Sequence, residues 1–267
     1  MSGASTQHRP GAHNRPGGLH VTRVRRVRRV TPRMARITFT GEELAHLPDN
    51  GTDQHVALYF YAPDVVLPRP FTIDAARSLL PAVRPRLRRY TIRHHRPELG
   101  EVDMDFVLHG ADQLASGWAA RAAPGDESIW FGPTPAYTLD PEADWTVLLG
   151  DETALPAIGA LLEQLSPEHR VSALIEVADA AEEQQLTTRA DARVQWLHRD
   201  GRTPGLLLHE RASALKLPAG RGRIWGAAER EVVRGLRHHF VRGLGMERSD
   251  THLTAYWTRG ETQDSEV

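Results

Sequence analysis

The stretch WTVLLGDETALPAIGALLEQL, residues 145–165, decides the fold class of this chain. It opens with the continuous apolar run WTVLLG (145–150), which is typical of a strand that is buried on both faces. A helix is predicted directly after this strand, with Thr153 as its N-cap. Four apolar residues recur on one face of that helix: Leu155, Ile158, Leu162 and Leu165. A buried strand that leads into an amphipathic helix indicates an α/β domain with a mostly parallel sheet.

The alternation of strand and helix continues from this stretch toward the C-terminus. Strands are predicted over 171–177, 193–199, 223–227 and 251–257, and helices over 203–215 and 229–242. We therefore assign residues 141–260 to one α/β domain. The polar residues 261–267 form a tail that we expect to be disordered.

Short strands with turn residues between them precede the α/β domain. They are predicted over 55–61, 88–93, 101–110 and 127–133. The segment 101–110 alternates most clearly, because its apolar and acidic side chains occupy opposite faces. Closely spaced short strands predict an antiparallel barrel or sandwich over residues 19–140. Residues 1–18 lack apolar periodicity, and we expect them to be disordered.

Arginine dominates the start of this first domain. Valines recur every three residues at positions 21, 24, 27 and 30, and seven arginines lie between Arg23 and Arg36. The spacing favours a bulged strand with one solvated basic face. A nucleic-acid-binding arm is the alternative, but the run lacks interleaved aromatic residues and the chain has a net charge of −1. We therefore expect no nucleic-acid partner.

The composition excludes several classes of protein. The 267 residues include no cysteine, which excludes disulfides, thiolate nucleophiles and Cys-ligated iron–sulfur clusters. The N-terminal histidines lack the spacing of metal ligands, so no resident metal is expected. No apolar run approaches ~20 residues, and the N-terminus has no apolar segment of a secretory signal. We expect a cytoplasmic monomer that does not insert into a membrane.

The motif Arg88-Arg89-Tyr90-Thr91 combines residue types that suit a flavin. An arginine can clamp a phosphate, a tyrosine ring can lie against the isoalloxazine, and a threonine hydroxyl can approach its N5 atom. By itself the motif is more typical of a strand with a packed tyrosine and solvated arginines. The similar stretch Arg69-Pro70-Phe71-Thr72 is interpreted as a loop that imitates the motif.

The context of this motif resembles the siderophore-interacting protein family. The resemblance extends from Val21 to Gly260 and is carried by RRYTIR, VLHG, GDETALPA, EVADAAEEQ, IWGAAE and AYWTRG. It implies a ferredoxin-reductase-like fold, with FAD on a Greek-key barrel and NAD(P)H on the α/β domain. It also implies an NAD(P)H-dependent, FAD-containing reductase of ferric siderophores.

The same resemblance implies the residues of the cofactor site. Those matching the flavin motif are Arg88, Tyr90, Thr91 and Arg93, of which Tyr90 and Thr91 are the catalytic pair. Those beneath the flavin and at the pyrophosphate are Asp105, Val107, His109, Ala115, Ser116 and Trp118. Those at the nicotinamide are Asp151, Thr153, Trp225, Gly226 and Glu229, with Trp257 from the closing strand.

Two departures from the family pattern bear on cofactor binding. Gln113 and Leu114 stand where the family has Gly-Pro, which puts the affinity for FAD in question. Ala228 replaces a glycine of the family, which narrows the approach of the nucleotide. The chain also lacks a G-x-G-x-x-G fingerprint, so only the resemblance assigns NAD(P)H to the second domain.

The substrate site is predicted as an arginine-lined opening, because siderophore chelates carry oxygen anions. Its candidate residues, chosen by position, are Arg36, His55 and Arg259. Tyr256 and Trp257 alternate on the last strand, so one packs under the sheet while the other reaches the cleft between domains. Trp257 offers the larger platform for a ring, but the sequence does not decide between them.

Two alternatives to a siderophore reductase stay open. One is a general flavin reductase or an electron-transfer module. The other is a protein that binds a siderophore but has lost tight FAD binding, as the missing Gly-Pro suggests.

Overall fold

The computed structural model describes residues 17–49, 51–80, 82–110, 114–135 and 137–261. Most of both predicted disordered tails, and Gln113, lie outside these residues. Two sheets, one of seven strands and one of five, organise the described part of the chain. No described helix is long and apolar enough to cross a membrane.

The first sheet is antiparallel and is built from residues 18–134. Its strands are β1 (Gly18–Thr31), β2 (Met34–Thr40), β3 (His55–Phe60), β4 (Arg86–Thr91), β5 (His94–Arg96), β6 (Glu101–Val107) and β7 (Glu127–Thr134). Helices α1 (Ile73–Leu79) and α2 (Leu114–Arg121) lie between them in the chain. The strand order is β4-β3-β7-β1-β2-β6-β5.

The antiparallel sheet is confirmed, but the predicted barrel is not closed among the described strands. The strand predicted over 88–93 ends at Thr91, and β5 begins only at His94. Between them, the Arg93 N–H donates to the Asp103 carbonyl at 2.8 Å. The chain therefore leaves β3 and joins β6 at this point, so that β4 and β5 become the two edges of the sheet.

The bulge in the arginine-rich strand is confirmed. The register of β1 against β2 shifts between Val24 and Arg26. The inner face of the sheet packs apolar residues from adjacent strands, including the fully buried Ile37, Phe39 and Met104. Alternation along the strands leaves the arginines on the outer face.

The second sheet was predicted to be mostly parallel, and all the described strand pairs in it are parallel. Its strands are β8 (Trp145–Gly150), β9 (Arg170–Val177), β10 (Asp191–His198), β11 (Gly222–Glu229) and β12 (Thr251–Trp257), in the order β10-β9-β8-β11-β12. Helices α3 (Leu155–Gln164), α4 (Leu206–Ser213) and α5 (Arg230–Arg237) connect them. One core packs α3 on one face of the sheet, and a second packs α4 and α5 on the other.

Several polar contacts join the two domains, and three of them involve buried or nearly buried side chains. Arg93 pairs with Glu163 of α3, Thr31 donates to Glu182 at 2.5 Å, and the indole of Trp225 donates to Asp53 at 3.2 Å. The Arg93 guanidinium lies directly over Gly159 of α3, where a Cβ would approach its Nη2 to 2.8 Å. These contacts fix the outer face of the first sheet against α3 and the first domain against the end of the second sheet.

Candidate functional site

The carboxyl ends of β8 and β12 lie on the same side of the parallel sheet, where the residues that follow or end these strands contact each other. Asp151 directly follows β8 and is 1% exposed. Its carboxylate accepts hydrogen bonds from the Thr153 N–H at 2.9 Å, from the Thr153 hydroxyl at 2.5 Å and from Trp257 Nε1 at 2.7 Å. Burial, and then the neighbouring Glu152, raises the pKa of Asp151 to about 6. Three of the predicted nicotinamide residues thus lie together, where open α/β sheets bind ligands.

Thr153 is not the N-cap of α3, which corrects the prediction. The N-cap position is Ala154, which makes no side-chain cap. The Thr153 hydroxyl instead donates to Asp151, since a carboxylate two residues upstream competes with the helix for it. Thr153 is therefore held by the strand end and not by the helix.

Glu229 ends β11 and holds the start of α5. Its Oε2 accepts the N–H groups of Glu231 and Val232 at 2.7 and 3.3 Å, and its Oε1 accepts the Arg259 N–H at 3.2 Å. The predicted nicotinamide residue Glu229 thus satisfies backbone donors at a helix start. It fixes α5 and the C-terminal segment relative to the sheet.

Trp225 and Gly226 lie inside β11, away from the edge of the sheet. Trp225 is fully buried, and Gly226 is packed so closely that a Cβ would lie 2.8 Å from Leu253 Cδ2. These two predicted nicotinamide residues therefore lie in the core of the second domain. The indole N–H of Trp225 nevertheless reaches the first domain at Asp53.

Thr91 ends β4 and contacts the second domain through Tyr256. The buried Thr91 side chain hydrogen-bonds the Tyr256 hydroxyl, which donates to Asp53 Oδ1 at 3.5 Å. This answers the question that the sequence left open about the last strand. Tyr256 reaches the other domain, whereas Trp257 hydrogen-bonds Asp151 within its own.

Tyr90 belongs to an aromatic cluster of the first domain. Its ring lies 4.1 Å from the ring of Phe106, and Phe106 lies 5.6 Å from Trp118 of α2. Burial raises the pKa of the Tyr90 hydroxyl above its ordinary range. One face of Tyr90 is therefore packed by the protein, and Trp118 supports this cluster from α2.

The two predicted phosphate-binding arginines differ in their contacts. Arg88 is half-buried and donates to the Leu87 carbonyl at 2.8 Å. Arg93 is 9% exposed and makes two bonds to the Glu163 carboxylate, at 3.0 and 2.6 Å. Arg93 therefore joins the domains, and Arg88 is the arginine of the motif that stays on the flavin side.

The end of β6 is tied to the start of α2. The His109 N–H donates to the Ser116 hydroxyl at 2.9 Å, while the His109 side chain is exposed. Ala115 and Ser116 are buried, and Val107 packs against the core of the second domain. These predicted FAD residues lie on either side of the connection from β6 to α2, and Asp105 lies apart from them.

An open cleft of about 1030 Å³ separates the outer face of the first sheet from α3. Arginines line it from three strands and from the β4–β5 connection: Arg26, Arg28, Arg36, Arg93 and Arg96. Several are neutralised, since Arg36 forms two bonds with Asp105 at 2.6 and 2.7 Å, and Arg96 forms two with Asp103 at 2.8 and 2.7 Å. Arg26 and Arg28 stay exposed at the mouth of the cleft.

The three predicted substrate residues belong to different surroundings. Arg36 lines the cleft but is held by Asp105. His55 pairs with Thr91 across β3 and β4, and burial, followed by the nearby Arg89, lowers the pKa of its imidazole. The exposed Arg259 donates to the Pro204 carbonyl at 2.8 Å, within the second domain.

The contacts of Arg69–Thr72 agree with its interpretation as a loop that only imitates the flavin motif. Arg69 forms an exposed ion pair with Glu127, and Phe71 packs in a small core of its own. The Thr72 hydroxyl caps α1 by accepting the Ala75 N–H at 3.2 Å. None of these contacts involves the second domain.

Sequence reasoning missed Asp53 and Glu163, which both connect the domains. Asp53 lies in the segment before β3, and Glu163 lies near the end of α3. A polar residue in a turn and a glutamate on an amphipathic helix are common, so neither has a distinguishing signal. Among the described residues, no group of three His, Asp or Glu side chains is arranged to hold a metal ion.

Two family profiles together match most of the chain. The profile described as "Siderophore-interacting FAD-binding domain" matches residues 23–137, and that described as "Siderophore-interacting protein" matches residues 143–260. An FAD-binding domain is therefore present, and it coincides with the antiparallel sheet.

Individual proteins agree with these profiles. The structure of a siderophore utilization protein from T. fusca is 34% identical, covers 94% of this chain and 97% of its own, and superimposes with a TM-score of 0.82. The ferric vibriobactin reductase ViuB of Vibrio cholerae is 28% identical over 88% of each chain. The NADPH-dependent ferric-chelate reductase of Escherichia coli is 29% identical over 88% of this chain and 91% of its own.

Proposed function

The chain belongs to the siderophore-interacting protein family, and on this premise we propose that it is an NAD(P)H-dependent, FAD-containing reductase of ferric siderophores. The hydrogen bond that Tyr256 donates to Asp53 across the domains carries the proposal, because the Ile92 N–H next to Thr91 also donates to the Gln54 carbonyl next to Asp53 at 2.9 Å. Thr91 ends the strand that bears the flavin motif, and Tyr256 lies on the last strand of the nucleotide-type sheet. A flavin at Thr91 and a nicotinamide at the edge near Asp151 would therefore meet between the two domains.

The residues of the first domain fit FAD. The strand β4 is an edge of its sheet, so the backbone of the Arg88–Thr91 motif lacks a partner on one side among the described strands. Arg88 supplies a cation for the pyrophosphate, and the start of α2 supplies backbone N–H groups. Tyr90 supplies an aromatic ring whose other face is braced by Phe106. When bound, FAD supplies the hydride acceptance and single-electron transfer that no side chain of this protein can perform.

The second domain positions the nicotinamide through Thr153 and Trp257. Both are fixed by Asp151, so their orientation is set before the nucleotide arrives. Glu229 acts on this site through the start of α5, which it holds, and Trp225 and Gly226 act through the packing of β11. The homologue from Escherichia coli is named for NADPH, and we propose NADPH as the preferred donor here.

The ferric siderophore is attracted to the arginine-lined cleft. Ile92 and Arg93 of its wall directly follow Thr91, and Gln54 directly follows Asp53, so the cleft adjoins the proposed flavin site. Arg26 and Arg28 present exposed guanidinium groups to an anionic chelate. Arg36, His55 and Arg259 stay predicted substrate residues, and Arg36 is the one that lines this cleft.

Reduction releases the iron because siderophore oxygens are hard ligands that favour Fe(III) over Fe(II). One NAD(P)H supplies two electrons, which reduce two ferric chelates. We place the reaction in the cytoplasm, where NAD(P)H is available. We also propose that the protein acts as a monomer, because a single chain supplies every residue of the site.

The decisive experiment measures anaerobic NAD(P)H oxidation with ferric siderophores as acceptors, and traps Fe(II) with a coloured chelator. We expect the purified protein to carry FAD and to form two Fe(II) per NAD(P)H. Turnover of free flavin without turnover of ferric siderophores would instead identify a general flavin reductase. Siderophore binding by a protein that retains no FAD would identify a binding protein.

The role of the cleft is tested with Arg28→Gln and a matched control. Arg25 is also exposed on β1 but does not line the cleft, so Arg25→Gln removes the same charge elsewhere. Arg28→Gln should raise KM for the ferric siderophore at low ionic strength, and salt should diminish the difference. An equal effect of both substitutions would argue against this approach route.

A further inference from the structure

Asp53 is a buried carboxyl of the first domain, and the two described side chains that donate to it both belong to the second domain. It is 1% exposed and lies in the segment before β3. Its Oδ2 accepts the Trp225 indole N–H at 3.2 Å, and its Oδ1 accepts the Tyr256 hydroxyl at 3.5 Å. Neither partner is a cation, so nothing in this contact offsets a buried negative charge as an arginine would.

Tyr256 extends this contact to Thr91. A tyrosine hydroxyl has one proton, and Tyr256 donates it to Asp53, so in its bond with Thr91 the Thr91 hydroxyl is the donor. Along this series of hydrogen bonds, the Thr91 hydroxyl therefore donates to Tyr256 and the Tyr256 hydroxyl donates to the Asp53 carboxylate. The series begins at the residue that the proposed function places at the reacting atoms and ends inside the domain interface.

The surroundings of Asp53 favour its neutral form. Burial raises the pKa of Asp53 to about 7, against the opposing hydrogen bonds of Trp225 and Tyr256. Two described titratable groups act on these hydrogen bonds besides Asp53: Tyr256 from β12, and Asp151, which lies at the end of β8 and acts on Tyr256. The Tyr256 hydroxyl stabilises the carboxylate only through its hydrogen bond, and neither group brings a positive charge to Asp53. A carboxyl in this environment can exchange a proton near neutral pH.

We propose that Asp53 is a positioning residue that orients Tyr256 and Thr91 and receives the proton left at the hydride acceptor. The proposal rests on the proposed function. A hydride carries two electrons and one proton, and two Fe(III) chelates take only the electrons. One proton per NAD(P)H must therefore leave the site.

The hydrogen-bond chain gives that proton a route. Thr91 accepts it and passes its own hydroxyl proton to Tyr256, whose proton moves to the Asp53 carboxylate. Asp53 then loses the proton to water in the adjacent cleft, which Thr52 and Gln54 line. The carboxylate is restored, and the charges balance over one NAD(P)H and two ferric chelates.

The first test observes Asp53 without turnover. The chain contains six tryptophans, so an indole N–H NMR spectrum of the full-length protein is sparse. In the wild type the Trp225 signal should titrate with a midpoint near pH 7, and in Asp53→Asn it should not. The Trp257 signal, which reports Asp151, should titrate with a midpoint near pH 6 in both proteins. A Trp225 signal that is independent of pH in the wild type would overturn the proposal.

The second test measures rates against pH. Asp53→Asn should lower kcat at pH 8 at least about tenfold and leave KM for NAD(P)H unchanged, as for the loss of a proton acceptor. The control, Asp64→Asn, removes an exposed carboxyl of the same domain and should match the wild type. An unchanged pH profile of kcat in a folded Asp53→Asn protein would also refute the proposal. If the wild type does not reduce ferric siderophores but its Trp225 signal titrates, the proposed function fails and the titration of Asp53 stands.

Discussion

Replacing Asp53 by asparagine should alter the stability of the protein in a way that depends on pH. The pKa of Asp53 is raised in the folded protein, so the folded state retains a proton that the unfolded state has already lost. The stability contributed by this carboxyl is therefore full below pH 4. It is lost as the pH rises through about 7. Asparagine does not titrate, so Asp53→Asn lacks this loss.

The magnitude follows from the two pKa values of Asp53. The ordinary value is 3.8 and the folded value is about 7, a difference that corresponds to about 4 kcal/mol of unfolding free energy. The stability of Asp53→Asn relative to the wild type should therefore rise by roughly this amount between pH 4 and pH 8. Any change in hydrogen bonding caused by the amide adds an offset that is the same at every pH.

Urea unfolding, followed by tryptophan fluorescence at several pH values, measures this difference. Both samples contain the same FAD concentration, and the FAD affinity of each protein is measured at each pH so that the stability added by bound FAD can be subtracted. Other titrating groups, including Asp151, are common to both proteins and cancel. Stability curves of the two proteins that stay parallel from pH 4 to pH 8 would refute the assignment of Asp53 as a carboxyl that is neutral when folded.

Three further substitutions test other parts of the site. Tyr90→Ala should weaken FAD binding at least about tenfold, while Tyr90→Phe keeps it, as measured by flavin released on dilution. Thr153→Val should raise the half-saturation concentration of NAD(P)H about 2- to 10-fold, the effect of one hydrogen bond, in stopped-flow flavin reduction. An unchanged value would remove Thr153 from the nicotinamide site. Arg259→Ala should lower ferric-siderophore reduction at low salt without affecting thermal stability, and rates equal to wild type at every ionic strength would exclude Arg259 from the substrate site.

The fold was largely predictable because burial imposes a period on the sequence. The apolar run of β8 is buried along its whole length, and β6 buries Val102, Met104 and Phe106 on its inner face. A bulge is also visible in the sequence as a change of spacing: the valines of β1 recur every three residues, and the register of β1 shifts after Val24. Each of these patterns shows which face of a helix or strand is apolar, and a window of a few residues is enough to read it.

Element ends and barrel closure were less predictable because they depend on competing polar contacts. Thr153 is a preferred N-cap residue, but Asp151 takes its hydroxyl. The helix predicted over 203–215 begins only at Leu206. Glu176, which is fully buried, accepts the N–H groups of Gly205 and Leu208 at 2.6 and 2.8 Å. Such a cap comes from another strand and has no local signature.

The last strand shows where sequence reasoning about the site ends. Alternation places Tyr256 and Trp257 on opposite faces, and this much is local. Which of the two faces the first domain depends on the acids that receive their polar hydrogens. Asp151 lies at the end of β8 and takes the Trp257 indole, while Asp53 lies across the domain interface and takes the Tyr256 hydroxyl. Because Asp53 is far from Tyr256 in sequence and has no periodic neighbours, only the packed domains could bring the pair together. A hydroxyl can both donate and accept, so Tyr256 can lie between Thr91 and Asp53, whereas an indole only donates and ends its contact at Asp151.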